Sequence, residues 1–432
     1  MRTTVAAGAV ALLLFLPIGS IPASGNDTER RCCPDLEELL SALTGALTGA
    51  EKSERSVRVY GQLNRALMYW DDGKKSSTYF VDNETSSSRL GVFGKHRLGG
   101  LMAGYRVEID SQVNSSSEVS SGDPWGDHID AAVRLRHAYW YVEDKKLGRL
   151  TFGQQSPATD DISIISVGAR MSDAALHYNN KFELQLSPQG IGINPVFRVN
   201  WGDLAHTVDT MRGLFVRYDT PTINGFLLSA AAGEDGVWDV ALRYSDGPDW
   251  LRLAGGIGYM DNPELGIRDL RGSFSALHTP TGLFATVAGG LRQDYGVTVD
   301  WPRDGHFYFA QLGMTKRYLP FGNTTLYGEY GRYNDFGVGR VFVGNLNFGV
   351  TGDKRWLLQD TEAERWGLGI EQEIEARGLL LYAQFHHYEG RFTGQRCMDN
   401  VGPACGDLDQ KKKETFTAAP WQAFVLGARI QF

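Results

Sequence analysis

Seven charged residues have the types and spacing to act together on ions or polar molecules. They are Arg89, Arg106, Arg134, Arg136, Asp160, Asp161 and Asp173. The four arginines fall on the polar side of segments in which apolar and polar residues alternate, so they would share one face of a sheet. Opposite fixed charges across a narrow aqueous passage select ions and polar solutes by sign and dipole. The simpler alternative is that each arginine pairs with a nearby carboxylate, such as Glu108 or Asp110.

Other patterns in the sequence predict neither a catalytic centre nor a metal or cofactor site. Glu371 and Glu373 share a strand face and could form the carboxylate pair of a hydrolase, but charge lining a passage explains them with fewer assumptions. His386 and His387 are adjacent in a strand, so their side chains point to opposite faces and cannot chelate one ion. The sequence contains no nucleophile elbow, P-loop or zinc-binding helix motif. We therefore expect no enzymatic activity and no cofactor.

Strands are the elements that would position these residues. After residue 55 the chain contains sixteen segments whose hydrophobicity alternates with a period of two. They lie near 56–70, 87–97, 100–111, 131–143, 147–155, 212–220, 224–233, 237–245, 249–259, 268–278, 282–292, 304–316, 322–333, 364–375, 378–388 and 421–432. In the last segment Phe424, Leu426 and Ile430 share an apolar face, opposite Val425 and Arg429. An apolar face opposite a polar one is what a strand needs when lipid lies outside and water inside.

The alternation also predicts which side chains of segment 131–143 point inward. Its apolar face consists of Val133, Leu135, His137, Tyr139 and Tyr141, and the opposite face consists of Arg134, Arg136, Ala138 and Trp140. With the apolar face towards lipid, Arg134 and Arg136 point inward beside the arginines of the two preceding segments. His137 would then belong to the rim or to a subunit contact and would not act as a base.

The connections between the segments alternate between tight turns and longer loops. A polar loop over 71–86 joins the first two segments, and a tight turn near Leu98 joins the next pair. Short turns on one rim and long loops on the other are typical of outer-membrane barrels. The longest connection, Ser156–Met211, carries the three aspartates, and loops of this length are usually functional. We predict an all-β, 16-stranded antiparallel transmembrane β-barrel whose long third loop folds into the lumen.

The first 55 residues are predicted to lie outside the barrel, which spans 56–432. Arg2, an apolar run and small residues near Ala23 form a secretory signal peptide over 1–25. Residues 26–55 carry leucines at helical spacing, which predicts a short periplasmic helix. This helix either forms a trimeric coil with its copies or remains a mobile leader, because so short a helix is marginal alone. The formal net charge of −8 argues against a nucleic-acid partner.

The four cysteines divide into two pairs. Cys397 and Cys405 flank a short stretch of the last long loop, and an exported chain reaches an oxidising compartment, so a disulfide bond within that loop is predicted. Cys32 and Cys33 are adjacent and cannot easily bond each other without strain. These two cysteines are therefore either free or linked to another subunit.

Short motifs along the chain resemble those of the trimeric general porins, and more closely the porins of alphaproteobacteria. They are Val59–Arg65, Ser88–Val92, Arg136–Tyr139, Gly148–Gln155, Val216–Pro221 and Gly233–Ala241, followed by the terminal Phe432. Each motif is short, but together they cover essentially the whole mature chain in order. The resemblance implies a sixteen-stranded barrel, a homotrimer, a third loop folded into the lumen and passive diffusion of small polar solutes.

The expected function is therefore that of an outer-membrane porin, a water-filled channel. The expected partners are small hydrophilic solutes and ions, together with lipid and lipopolysaccharide of the outer membrane. Three alternatives remain open at this point. They are a more solute-selective channel of the same architecture, a barrel enzyme such as a protease or lipase, and an adhesin or structural barrel.

Overall fold

The computed structural model describes the chain from residue 55 to its C-terminus, with gaps in the connections. The described residues are 55–73, 75–111, 113–119, 133–171, 186–188, 201–205, 212–295, 304–336, 341–344, 354–397 and 408–432. The predicted signal peptide, Cys32, Cys33, Asp173 and Cys405 lie outside these residues, as does all but the end of segment 26–55. Within the described residues, no helix is both long enough and apolar enough to cross a membrane.

Twenty β-strands account for most of the described residues, and all belong to one sheet. They are β1 Arg55–Asp71, β2 Ser76–Asp82, β3 Arg89–Leu98, β4 Leu101–Ser111, β5 Val133–Asp144, β6 Gly148–Gln155, β7 Leu186–Pro188, β8 Gly213–Asp219, β9 Phe226–Gly233, β10 Trp238–Asp246, β11 Leu251–Asn262, β12 Ile267–His278, β13 Leu283–Asp294, β14 Gly305–Leu319, β15 Gly322–Asn334, β16 Val341–Gly344, β17 Lys354–Ile374, β18 Leu379–Cys397, β19 Leu408–Ala418 and β20 Trp421–Gln431. A single helical turn, Trp201–Leu204, and short 3₁₀ turns lie between strands.

Sixteen of these strands close into an antiparallel barrel, which confirms the predicted fold class. Closure occurs between β1 and β20, whose pairing runs from Gln62 opposite Gln431 to Asp71 opposite Gln422. The other four strands, β2, β7, β16 and β19, extend the sheet beyond this ring. Each of the sixteen predicted segments corresponds to one barrel strand. β17 begins well before its predicted start and β18 ends well after its predicted end, because strands that leave the lipid have water on both sides and lose the apolar alternation.

The polar loop predicted over 71–86 is wrong. β1 turns back soon after Asp71, and β2 pairs with the Arg65–Asp71 stretch of β1. β3 then follows the same edge of β1 over Arg55–Gln62. β2 and β3 are therefore one long strand interrupted at residues 83–88, where the chain forms the 3₁₀ turn Glu84–Ser86.

The composition of this strand is that of a loop, which is why its sequence predicts one. Serine, threonine, asparagine and aspartate dominate residues 71–88 and favour turns. The strand alternation is limited to Tyr79 and Val81, which are buried, and Phe80, which is exposed on the outer face. Three residues are too few to show a period of two against that background.

The outer and inner faces of the strands otherwise follow the predicted alternation. On β20, Phe424, Leu426 and Ile430 are exposed on the outer face, whereas Val425 and Arg429 are buried on the inner face. The same alternation places Leu101, Tyr105, Val107 and Ile109 of β4 outside, and Trp366, Leu368 and Ile370 of β17 outside. The barrel therefore presents a continuous apolar surface outward, as contact with lipid requires.

A β-bulge in β5 reverses the predicted faces beyond Arg136. The pairing of β4 with β5 skips Arg136, which lies between the partners of Glu108 and Ile109. The extra residue shifts the alternation by one position. Arg136 and His137 are consequently both buried, and Trp140 is exposed on the outer face. The prediction that His137 points outward and Trp140 inward is therefore wrong.

Candidate functional site

The four predicted arginines lie side by side on the inner face of three adjacent strands. Arg89 begins β3, Arg106 lies in β4, and Arg134 and Arg136 lie in β5. β3 pairs with β4, and β4 pairs with β5, so the side chains project from one continuous patch of the barrel wall. We call these four residues the arginine wall. Their part in a constriction stays a prediction.

Two buried carboxylates bind the arginine wall together. Glu108 accepts hydrogen bonds from Arg106 (NH2 to Oε2, 2.6 Å) and Arg136 (Nε to Oε1, 2.9 Å). Asp110 accepts from Arg134 (NH2 to Oδ2, 2.8 Å) and from the NH1 atom of Arg136 (3.1 Å). The alternative of arginine–carboxylate pairing therefore holds for three of the four arginines. The two carboxylates do not balance four guanidinium groups, so the wall keeps an excess of positive charge.

Tyr60 and Glu84, neither of which was predicted, complete this network. The Tyr60 hydroxyl donates to Glu108 Oε2 (2.6 Å) and accepts from Arg106 Nε (2.5 Å). Glu84 Oε1 lies 3.3 Å from Arg134 NH2 at the exposed edge of the wall. The inward side of Tyr60 follows from strand alternation, but Glu84 lies in the interruption between β2 and β3, which the sequence did not reveal.

Residues Ser156–Met171, the first part of the long loop, contact side chains of the barrel strands and are called the inner segment here. The segment leaves the end of β6 and forms hydrogen bonds with side chains of β8, β10, β12, β13, β17 and β18. Each of these side chains lies on the inward side of its strand. In chain order, the inner segment therefore contacts one barrel strand after another, from β8 to β18.

Asp239 of β10 holds the beginning of the inner segment. Its Oδ1 atom accepts from Ala158 N (3.0 Å), and its Oδ2 atom accepts from the backbone N and the hydroxyl of Thr159 (2.6 and 2.7 Å). Arg217 of β8 donates to the carbonyl of Pro157 (3.0 Å). Hydrogen bonds to a carboxylate are about twice as strong as neutral ones, so Asp239 is a firm anchor.

Hydroxyl groups of β12 hold the middle of the inner segment. Ser273 Oγ donates to the carbonyl of Ile162 (2.6 Å) and accepts from Ile165 N (3.2 Å). Ser275 Oγ accepts from Val167 N (3.0 Å). These bonds satisfy backbone groups of a segment that has no strand partner, as buried backbone requires.

Glu371 of β17 holds the end of the inner segment. Its carboxylate accepts from the backbone N of Arg170 (3.0 Å) and of Met171 (2.8 Å), and Gln384 donates to the carbonyl of Met171 (2.7 Å). The guanidinium of Arg170 pairs with Glu373. Glu371 and Glu373, which the sequence raised as a hydrolytic pair, are thus both engaged with the loop.

Asp160 and Asp161 belong to the inner segment, and their part in a constriction stays a prediction. Asp160 Oδ2 lies 3.3 Å from Arg212 NH2, and its carbonyl accepts from Arg243 NH2 (2.7 Å). The Asp161 side chain is exposed, and its backbone has a left-handed φ of 60°, which aspartate tolerates better than most residues. Arg212 and Arg243, which were not predicted, are therefore among the partners of Asp160.

Two glycines of β11 let the inner segment approach the wall closely. A Cβ atom on Gly256 would lie 2.5 Å from Ile162 Cδ1, and one on Gly258 would lie 2.6 Å from Thr159 Cγ2. Both distances are too short for real contacts. Glycine within a strand often marks such a close approach, and the segment rests in the space that the missing side chains leave.

A sequence model of the Gram-negative porin family matches residues 39–393, which is most of the chain. The chain belongs to this family. Solved structures agree with the fold of this porin. The anion-selective porin from Comamonas acidovorans is 16% identical, with a TM-score of 0.52, over 88% of this chain and 100% of that chain. OmpT, an outer-membrane protein of Vibrio cholerae, is 15% identical, with a TM-score of 0.50, over 89% of this chain and 99% of that chain.

No curated protein sequence in the comparison is significantly similar to this porin. The family match and the closed barrel together show what the protein does. It forms a channel in the bacterial outer membrane through which solutes diffuse passively. The apolar outer face and the charged inner face are the features such a channel needs.

A second contact holds the long loop of this porin, and it is apolar. Trp201 is completely buried and packs edge-on against Tyr388 (ring centroids 5.0 Å apart) and Trp421 (5.7 Å), which stack on each other at 3.8 Å. A Cβ atom on Gly390 would lie 2.8 Å from Leu204 Cδ1, so Gly390 provides room for this turn. The turn at Trp201–Leu204 therefore packs against side chains of β18 and β20.

The two adjacent histidines lie on opposite faces of β18, as predicted. His386 is buried inside, where its Nε2 atom lies 3.1 Å from Glu329 Oε1, an oxygen that also pairs with Arg365 (3.1 Å). His387 is on the outer face and stacks on Trp366. Across the described part of the chain, no group of three or more His, Cys, Asp or Glu residues is placed to hold a metal ion.

One cysteine of the predicted disulfide can be described. Cys397 ends β18, is buried, and is disulfide-bonded. Cys405 lies outside the described residues, so the pairing of Cys397 with Cys405 stays a prediction.

Some of the anchoring residues that were not predicted could have been found from a sequence pattern, and others could not. Asp239 and Arg243 are charged residues two strand repeats apart in segment 237–245, so their alternation with apolar residues marks them as inward-facing. Trp201 lies in a stretch without strand or helix periodicity, and no local pattern indicates its place beside Tyr388.

Proposed function

We propose that the inner segment narrows the lumen of this porin and sets which ions and small hydrophilic solutes pass. The observation that carries this proposal is the chain of hydrogen bonds from Asp239 through Ser273 to Glu371, because every anchor lies on the inward side of the wall. A segment fixed in this way reduces the open cross-section by its own width.

Ion preference follows from the charges on either side of that narrow section. We propose that Asp160, Asp161 and Asp173 act there against the arginine wall, Arg89, Arg106, Arg134 and Arg136. Glu108 and Asp110 already neutralise part of the wall, so the arginines act as a partly compensated positive surface. Fixed charges near a constriction attract one ion sign and repel the other.

Three finer proposals accompany this function. The channel catalyses no reaction, which is supported by the engagement of Glu371 and Glu373 with the loop backbone and with Arg170. It assembles as a homotrimer, which is supported by the resemblance to the trimeric general porins. Its outer face contacts lipid and lipopolysaccharide, which is supported by the exposed apolar side chains.

A solute-selective channel is the second candidate, and the apolar anchor of Trp201 favours it. Trp201 packs against Tyr388 and Trp421, and a loop held there would displace the open path towards the side of the arginine wall. One of the similar solved structures is an anion-selective porin, and an excess of arginine would favour anions here too.

Swelling of liposomes that contain the purified protein separates the two candidates. For general diffusion, the swelling rates for neutral sugars should fall smoothly with solute size, and organic anions and cations of equal size should differ only modestly. Rapid entry of one solute class, far above others of its size, would support the selective channel. Protein that is folded but leaves the liposomes impermeable to every solute would contradict both.

A further inference from the structure

The interruption between β2 and β3 brings a serine hydroxyl into the lumen. Asn83 caps the 3₁₀ turn Glu84–Ser86 by accepting from Thr85 N (3.1 Å). The Asn83 side chain also donates to the hydroxyl of Tyr382 on β18 (2.9 Å). These bonds fix the turn against the inner face near the seam where β1 meets β20. Ser86 remains partly exposed.

Three side-chain donors converge on this hydroxyl. Ser86 Oγ lies 2.8 Å from Gln62 Nε2, 3.0 Å from Arg89 NH2 and 3.3 Å from Arg429 NH1. Arg89 and Arg429 come from β3 and β20, on opposite sides of β1, so the fold itself brings the two guanidinium groups to one oxygen atom. A hydroxyl oxygen surrounded by cationic donors occupies the kind of position that an anion's oxygen would take.

Neither arginine forms a direct ion pair with a carboxylate among the described residues. Within the described part of the chain, Arg89 donates to Ser86 Oγ (3.0 Å) and to the carbonyl of Ser87 (3.3 Å). Arg429 is 8% exposed, and its buried Nε atom has no hydrogen-bond partner there. This distinguishes the pair from Arg106, Arg134 and Arg136, which share Glu108 and Asp110. A largely buried guanidinium group that no carboxylate contacts directly is costly, and a bound anion would offset part of that cost.

We propose that Arg89, Arg429 and Ser86 form a binding subsite for an oxyanion group, carried by inorganic phosphate or by the carboxylate of a small organic acid. Guanidinium groups match the oxygen geometry of both anions. The subsite deepens the proposed function and rests on it, because it adds affinity for a solute class to the field of the inner segment. Arg429 belongs to β20 and not to that segment, so the two features can be tested separately.

Block of chloride current in planar bilayers tests the subsite. Inorganic phosphate or malonate is added to a KCl solution at constant conductivity, and the concentration for half-maximal block is measured for the wild type, Arg89→Gln and Arg429→Gln. Each variant removes one charged hydrogen-bonding group, so the concentration should rise about tenfold. Arg292→Gln is the matched control, because Arg292 is also inward-facing and largely buried but pairs with Asp269 (2.8 Å). Its block should equal that of the wild type.

The outcomes are distinguishable. Phosphate block without malonate block assigns phosphate, and the converse assigns a carboxylate. Open wild-type channels that neither anion blocks, or a loss of block in Arg292→Gln equal to that in the other variants, would overturn the subsite and leave the channel function intact. Absence of any channel current from folded protein would instead contradict the proposed function. If Arg429→Gln does not fold, the comparison of Arg89→Gln with Arg89→Lys tests the subsite. Lysine should restore the block only in part, because its ammonium group lacks the planar, two-pronged donor geometry of a guanidinium group.

Discussion

At the scale of single residues, shared carboxylates and missing side chains decide where charge lies in the lumen. Glu108 and Asp110 orient three arginines of the wall, and Gly256 makes room for the inner segment. Strand alternation was enough to predict which way Arg89, Arg106, Arg134 and Arg136 point. It could not predict their partners, because hydrogen bonds across strands depend on register, which a single segment does not reveal.

Replacing Asp160 and Asp161 by asparagine should shift ion selectivity towards anions. Both substitutions remove negative charge from the inner segment, and asparagine tolerates the left-handed φ of Asp161. The reversal potential in a low-salt KCl gradient measures the shift, which should shrink near 1 M salt, where the screening length falls to about 3 Å. Arg106→Gln should shift the ion selectivity towards cations, because it removes a positive charge. A double variant with the parent's reversal potential would show that the segment is not the filter.

Replacing Gly258 by valine should push the inner segment away from β11. The new Cβ atom would lie 2.6 Å from Thr159 Cγ2, so Thr159 must move and its bonds to Asp239 must lengthen. Gly328→Val is the control, because its Cβ would lie 3.4 Å from Leu368 Cδ2, an ordinary contact away from the segment. Single-channel conductance should change in Gly258→Val and stay at the wild-type value in Gly328→Val. Equal conductance in all three proteins would contradict the close approach.

At the scale of elements, the sequence predicts the positions of the barrel strands well. It predicts the long loop only from the length of the connection. Period-two alternation located all sixteen barrel strands, because lipid on one side and water on the other impose it on every strand. It did not indicate the bulge at Arg136, which inserts one residue without a composition signal. It also did not indicate the strand Ser76–Asp82, whose polar residues resemble a loop.

The two carboxylate anchors should keep the inner segment still. Asp239→Asn and Glu371→Gln each weaken charged hydrogen bonds worth about 1.5–3 kcal/mol, so we expect larger low-frequency current noise in single-channel recordings. Glu143→Gln is the control, because Glu143 also carries an inward negative charge but pairs with Arg149 (2.7 Å). Its noise should match the wild type. Traces from both anchor variants that cannot be told from the wild type would show that other contacts suffice.

The disulfide of the last long loop should stabilise that loop alone. Closing a loop of about nine residues between Cys397 and Cys405 contributes on the order of 2–3 kcal/mol in the chain-entropy model. Mass spectrometry of a digest made without reductant should show the two peptides linked. Replacing both cysteines by serine should increase hydrogen exchange in β19 but leave the channel conductance unchanged. Free thiols on both residues in protein purified without reductant would refute the pairing.

At the scale of the whole molecule, the barrel closes because every strand of the ring finds two partners. β1 pairs with β20 from Gln62 to Asp71, so the ring has no free edge in the lipid. The number of strands and their antiparallel order follow from the sequence, because the alternating segments and short turns can be counted. How far the long loop fills the lumen does not follow, since it depends on contacts such as Trp201 with Tyr388 that join distant parts of the chain.

The conductance of single channels in a planar bilayer tests the central claim most directly. The purified protein should insert in discrete steps, give a linear current–voltage relation near zero voltage, and show a conductance that rises in proportion to the bulk conductivity of KCl. Such proportionality is the behaviour of ions that diffuse through a water-filled pore. Two results would contradict an open diffusion channel. One is folded β-barrel protein that gives no conductance steps, and the other is a conductance that stops rising while the KCl concentration is still being increased.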